Sequence, residues 1–158
     1  MVTSCPAIGS GSYLLTRDRD AYAKRFGWSV RVDGARLVVD VGADLDMLVL
    51  PRSLHQPVQV ELALALLRLP CLDTGRGPVV AVTTLSLSDS LQLRDDVRLA
   101  GVRVVPRHST VVLPGLSAET NPDGLRWRDV PRHARDLPPW AAVVGTVRRV
   151  LDRGRGAW

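Results

Sequence analysis

Residues 40–46, DVGADLD, carry three aspartates, Asp40, Asp44 and Asp46. Side chains alternate along an extended chain, so these even spacings would put all three carboxylates on one side of a continuous strand. Carboxylates gathered in that way hold hard divalent cations such as Mg²⁺ or Mn²⁺ through oxygen. Two such ions can stabilise both the attacking and the leaving oxygen of a phosphoryl displacement. One reading is therefore a divergent metal-dependent nucleotidyltransferase built on Asp40, Asp44 and Asp46. The preferred reading is that Gly42-Ala43-Asp44 makes a turn or bulge, with the acids at a solvated strand end and no metal or other cofactor.

The basic groups suggest a different chemistry. Arg103 and Arg107 could hold a phosphate, because guanidinium forks match its oxygens. The bland alternative is a pair of surface charges, with Asp95 and Asp96 close by in sequence. The loop TGRG at 74–77 could turn backbone N–H groups toward an anion. It lacks the lysine and the following Ser/Thr of a P-loop, which excludes that motif. His55, His108 and His133 show no metal-ligand spacing with one another or with Cys5 and Cys71. His108 reads as an exposed turn residue, and Cys71 as buried packing rather than a nucleophile. Trp28, Trp127 and Trp140 read as core, and Trp158 as a frayed end.

These groups sit in 158 residues, 46% hydrophobic and 23% charged, which fits one globular domain. No apolar run approaches the roughly 20 residues that span a bilayer, so no membrane partner is expected. The N-terminus lacks the basic start and apolar core of a secretory signal. Two separated cysteines suit a reducing compartment, and a cytoplasmic protein is the expectation. The net charge of +5 fits a polyanionic partner such as nucleic acid. However, Lys24 is the only lysine, and arginine replacing lysine throughout is also what a GC-rich genome writes.

The elements that must position these residues follow from periodicity. Residues 1–15 are small and polar and read as a loose lead-in to one domain over 16–152, with a flexible tail over 153–158. DRDAYAKRFGW predicts a short helix capped by Asp18 or Asp20 and ended by Gly27. Strands at 29–33 and 36–41 flank Asp33-Gly34, a tight-turn dipeptide. DMLVLP predicts a buried strand. Val58, Leu62, Leu66 and Leu69 recur at helical spacing, with Pro57 in the first turn and Pro70 as the stop. GPVVAVTTLSL predicts a strand, 97–114 a hairpin, NPDG a turn and LRWRDV a short strand. A last helix carries Trp140, Val143, Val144, Val147 and Leu151 on one face. The fold class is α+β: a mixed, mostly antiparallel sheet with two or three helices.

Three phrases in order, RLVVDVG, TGRGPVV and GVRVVPRHSTVVLPG, followed by GLRWRDVP and LPPW, resemble the primase–polymerase (prim-pol) domains of the archaeo-eukaryotic primase superfamily. They are most similar to the bifunctional DNA primase/polymerase N-terminal domains. The resemblance covers about residues 28–151 and implies a minimal, RRM-like primase–polymerase core and a setting in DNA replication. It puts Asp40 at the first metal-binding acid, with Gly42 where the second acid belongs. Thr74 and Gly77 match the nucleotide segment, but Pro78 replaces its second glycine and Val80 its histidine. Arg103 takes the place of the third acid, and His108-Ser109-Thr110 replaces Gly-Gly-Tyr.

Glycine, valine and arginine cannot ligate Mg²⁺, and a guanidinium close to the ions repels them by several kcal/mol. The resemblance thus implies the scaffold without the reaction. The expected product is a catalytically inactive binding or regulatory module for nucleic acid, a nucleotide or a protein partner. Its cleft would bring Asp40, Val80 and Arg103 together and be lined by Arg76, Arg103, Arg107 and His108. A pure protein-interaction module is the third reading.

Overall fold

Leu15, Tyr22 and Phe26 recur at helical spacing and are all buried, so the first helix starts earlier than its charged segment suggests. In the computed structural model, which describes residues 10–88, 91–116 and 124–156, α1 runs over Ser10–Phe26. It therefore begins inside the expected lead-in. Asp18 is not its cap but an interior residue, buried, whose Oδ2 accepts the Leu116 N–H at 3.1 Å. Gly27 does end the helix, at φ +70°, with its N–H returning to the Ala23 carbonyl.

The expected hairpin forms, with Gly34-Ala35 as its two-residue turn: Asp33 ends the first strand opposite Arg36. Strands β1 (Val30–Asp33) and β2 (Arg36–Asp40) pair antiparallel, with Val30 opposite Val39. The chain then turns through Gly42 at φ +90°, and β3 (Leu45–Leu50) follows. Asp40, Asp44 and Asp46 are therefore not on one continuous strand.

Helix α2 (Arg52–Leu64) starts five residues ahead of Pro57, which sits inside it rather than in its first turn. It also stops short of the expected Leu69. Leu66 adopts φ 58°, and the Leu67 N–H bonds back to the Leu62 carbonyl at 2.9 Å. That is a left-handed helix end of the Schellman kind without its usual glycine.

Next come β4 (Cys71–Asp73), β5 (Val79–Thr84), α3 (Asp95–Leu99), β6 (Arg103–Val104), β7 (Thr110–Leu113) and β8 (Arg126–Trp127). A 3-10 turn at Ala134–Asp136 leads to α4 (Trp140–Arg155), which extends into the expected tail. Part of the NPDG turn, along with Cys5 and Trp158, lies outside the described residues.

Among the described residues the strands form two antiparallel sheets rather than one, in the orders β1-β2-β7 and β6-β3-β5-β4-β8. Segment 97–114 is not a hairpin. It contains the short helix α3, and its two strands belong to different sheets: β6 pairs with β3, and β7 with β2. Among the described residues four α-helices form where two or three were expected.

The five-stranded sheet is covered on both faces. Leu45, Met47, Val80, Val82 and Leu72 turn toward α1 and the smaller sheet, joining Tyr22, Phe26, Trp28 and Trp127. Leu48, Leu50, Val79 and Ala81 turn the other way, toward Val58 and Leu62 of α2, Val97 of α3, and Val143 and Val147 of α4. Two-sided burial explains why β3 and β5 read as continuous apolar runs rather than alternating ones. Among the described residues, no helix is long and apolar enough to cross a membrane.

Candidate functional site

Two bent chain segments run side by side at one end of the larger sheet. One is β2, the Gly42 turn and β3; the other is β6, the Pro106–Ser109 turn and β7. The Val105 N–H bonds to the Met47 carbonyl, the His108 N–H to that of Val41, and the Val41 N–H to that of Ser109. This pairing carries Arg107 across Gly42 and onto Asp46.

Asp46 is fully buried. Its carboxylate accepts Arg107 Nε at 3.1 Å and Nη2 at 2.9 Å, and the Ser86 N–H at 2.7 Å. Arg107 Nη2 also donates to the Ser86 carbonyl at 2.8 Å. The arrangement is a two-pronged guanidinium–carboxylate pair, the strongest common form of that contact. Gly42 makes the approach feasible. A Cβ there would lie 2.6 Å from Arg107 Cγ and 2.8 Å from its Cβ, closer than carbon atoms can approach.

The other two candidate acids are also engaged. Asp40 accepts Arg31 Nη2 at 2.8 Å and the Thr110 hydroxyl at 3.0 Å. These bonds, Arg31's first, hold its carboxyl below the usual range. Asp44 accepts the Ser29 N–H at 2.7 Å. Each acid thus has its own partner. Among the described residues, no group of three or more His, Cys, Asp or Glu side chains could hold a metal ion.

The remaining expected positions are spread over the fold. Arg103, Val49, Val80 and Leu72 form one cross-strand row, so Val80 and Arg103 share a face with Val49 between them. Asp40 does not join them: Val39 and Val41 pack with Val80, and Asp40 alternates to the opposite side of its strand. Arg103 is exposed on the edge strand, while Asp95 and Asp96 pair with Arg98 and Arg94 instead. His108 is an exposed turn residue at φ 68°. Cys71 is buried, and desolvation pushes its thiol pKa up, which makes it packing rather than a nucleophile.

Arg76 lies in the 74–77 loop, beside a centre that sequence reasoning missed. The buried Asp73 accepts Arg52 Nη2 at 2.5 Å, the Gly75 N–H at 2.7 Å and Arg128 Nη1 at 3.4 Å. Arg52, first among the causes, lowers the Asp73 pKa to about 2. Arg52 Nε also holds the Gly77 carbonyl, so the loop is fastened to the start of α2. The Gly75 N–H, expected to face an anion, serves Asp73 instead. The only local signal was an Asp directly before a glycine-rich turn; its partners lie 21 and 55 residues away.

In comparisons with protein-family models, with curated proteins and with solved structures, nothing matches this chain.

Proposed function

We propose that the chain is a non-catalytic, prim-pol-like domain that binds nucleic acid or a nucleotide rather than polymerising it. One observation carries the reading: the stem of Arg107 lies over Gly42 while its fork closes on Asp46. Gly42 stands where the resemblance expects a second metal-binding acid. Any side chain there would displace the arginine, so losing that acid and neutralising Asp46 go together. A carboxylate held by a guanidinium inside the fold is a poor ligand for Mg²⁺, which needs near-octahedral oxygen donors. The exposed Arg76 and Arg103 remain open to phosphate oxygens.

Incorporation of labelled deoxynucleotides into a primed template, with Mg²⁺ or Mn²⁺, tests the reading. The expected result is no product above a heat-treated control. Robust synthesis abolished by Asp40→Asn or Asp46→Asn overturns it in favour of the nucleotidyltransferase.

A second reading, a protein-interaction module, is favoured by a groove of about 860 Å³ between α2, α3 and α4. Its wall includes Val60 and Leu99, 51% and 85% exposed, and apolar side chains so placed mark interaction surfaces. Binding of oligonucleotide with a steep salt dependence separates the two.

A further inference from the structure

Many arginines of this chain find an acid. Arg19 meets Asp20, Arg31 meets Asp40, Arg52 meets Asp73, Arg107 meets Asp46 and Arg153 meets Glu61. Others do not, and four of these converge on one region. Arg25 at the end of α1, Arg68 after α2, and Arg132 and Arg135 after β8 are exposed, with no ion pair or side-chain hydrogen bond among the described residues.

Three segments distant in sequence bring them together. Arg25, Arg68, Arg128 and Arg132 line a cleft of about 610 Å³ with His133. Arg68 and Arg132 also line an adjoining cleft of about 240 Å³ that includes Arg135. Two acids lie in these walls. Asp136 accepts the Arg132 and His133 backbone N–H groups on one oxygen, at 3.0 and 2.9 Å; the two carboxylates face five guanidinium groups, of which Arg128 also reaches Asp73, so the walls keep a positive excess. Arginine-rich codon usage explains the number of arginines but not the convergence of unpaired ones.

We propose that this double cleft is a binding site for the phosphodiester backbone of nucleic acid. Guanidinium forks fit phosphate oxygens in pairs, and two basic clefts in series suit a chain of phosphates better than a single anion. No Phe, Tyr or Trp side chain lines either cleft, so backbone contacts dominate over base stacking and binding is largely indifferent to sequence. The site follows β8, on the sheet edge opposite Arg103 of β6. It does not rest on the prim-pol reading.

The test is fluorescence anisotropy of a labelled single-stranded DNA oligonucleotide over a salt series from about 50 to 200 mM, where each phosphate contact adds about 0.7 to the log–log slope. The expected result is that Arg68→Ala with Arg132→Ala weakens binding about tenfold at low salt and lowers the slope by about 1.4. Arg25→Ala with Arg135→Ala, on different segments, should act in the same direction. Melting temperatures report that the variants fold. Unchanged affinity and slope in both pairs overturns the proposal, and so does wild-type protein that binds anionic phosphatidylserine vesicles but no oligonucleotide. Loss of binding in Arg76→Ala with Arg103→Ala alone, the cleft pairs being unaffected, overturns this site while leaving the proposed function standing.

Discussion

At the scale of single residues, the fold is governed by how buried carboxylates are satisfied. Asp46 is fully enclosed and depends on Arg107 and the Ser86 N–H. Removing the guanidinium leaves a buried charge with one donor, so Arg107→Ala should lose about 3 kcal/mol or more of stability. Arg103→Ala, an exposed edge position without an acid partner, should stay within about 0.5 kcal/mol. Urea denaturation of the two variants measures both. Asp73 adds a pH signature, because Arg52 and the Gly75 N–H depress its pKa from 3.8 to about 2. A depressed carboxyl contributes stability above its unfolded pKa and loses it as protons bind. Stability should therefore fall from about pH 4 toward pH 2, and Asp73→Asn should flatten that part of the denaturation profile while lowering stability at neutral pH. The acids of DVGADLD were legible as candidates; Asp73, and the partners of all these acids, were not. Arg107 is 61 residues from Asp46 and Arg128 is 55 from Asp73, and no local pattern encodes such a pairing.

Among the elements, the two turns between β1 and β3 show what local chemistry can and cannot announce. Asp33-Gly34 marked its hairpin because a two-residue turn requires positive φ in one place and nothing else. The Gly42 turn was harder to read, since its glycine answers to both a φ of +90° and the Arg107 stem. The two positions should separate by mutation. Gly34→Ala meets only backbone strain, at about 1 kcal/mol. Gly42→Ala adds a collision with Arg107 and should cost about 2 kcal/mol or more. Thermal melts of the pair check the order, and equal losses would mean that Arg107 moves aside easily. Periodicity located the cores of α2 and α4 but not the ends of α2, because Leu66 closes that helix in a conformation glycine usually supplies. The segment 97–114 looked like a hairpin for a related reason. Both strands have the right composition, yet each finds a remote partner, in β3 and β2, rather than the other.

For the whole molecule, the consequence is an α+β body whose larger sheet is packed on both faces, leaving function to strand ends, loops and surface grooves. The fold class was readable because two-faced burial writes apolar runs and helices write their own period. The division into two sheets was not, since strand order depends on pairing at a distance. The basic balance was readable as a number, but its placement emerges only when α1, the end of α2 and the segment after β8 meet. The charge distribution therefore predicts that oligonucleotide affinity depends more on Arg68 and Arg132 than on Arg103, with salt-dependent anisotropy as the measure.

The central claim is that Asp46 already has its cation, in the form of Arg107, and has no room for another. A ligand that binds only the folded state raises its melting temperature, so a melt with millimolar Mn²⁺ is the direct measurement. We predict no metal-dependent shift in the wild-type protein. A rise that disappears in Asp46→Asn but persists in Arg103→Ala would contradict the account.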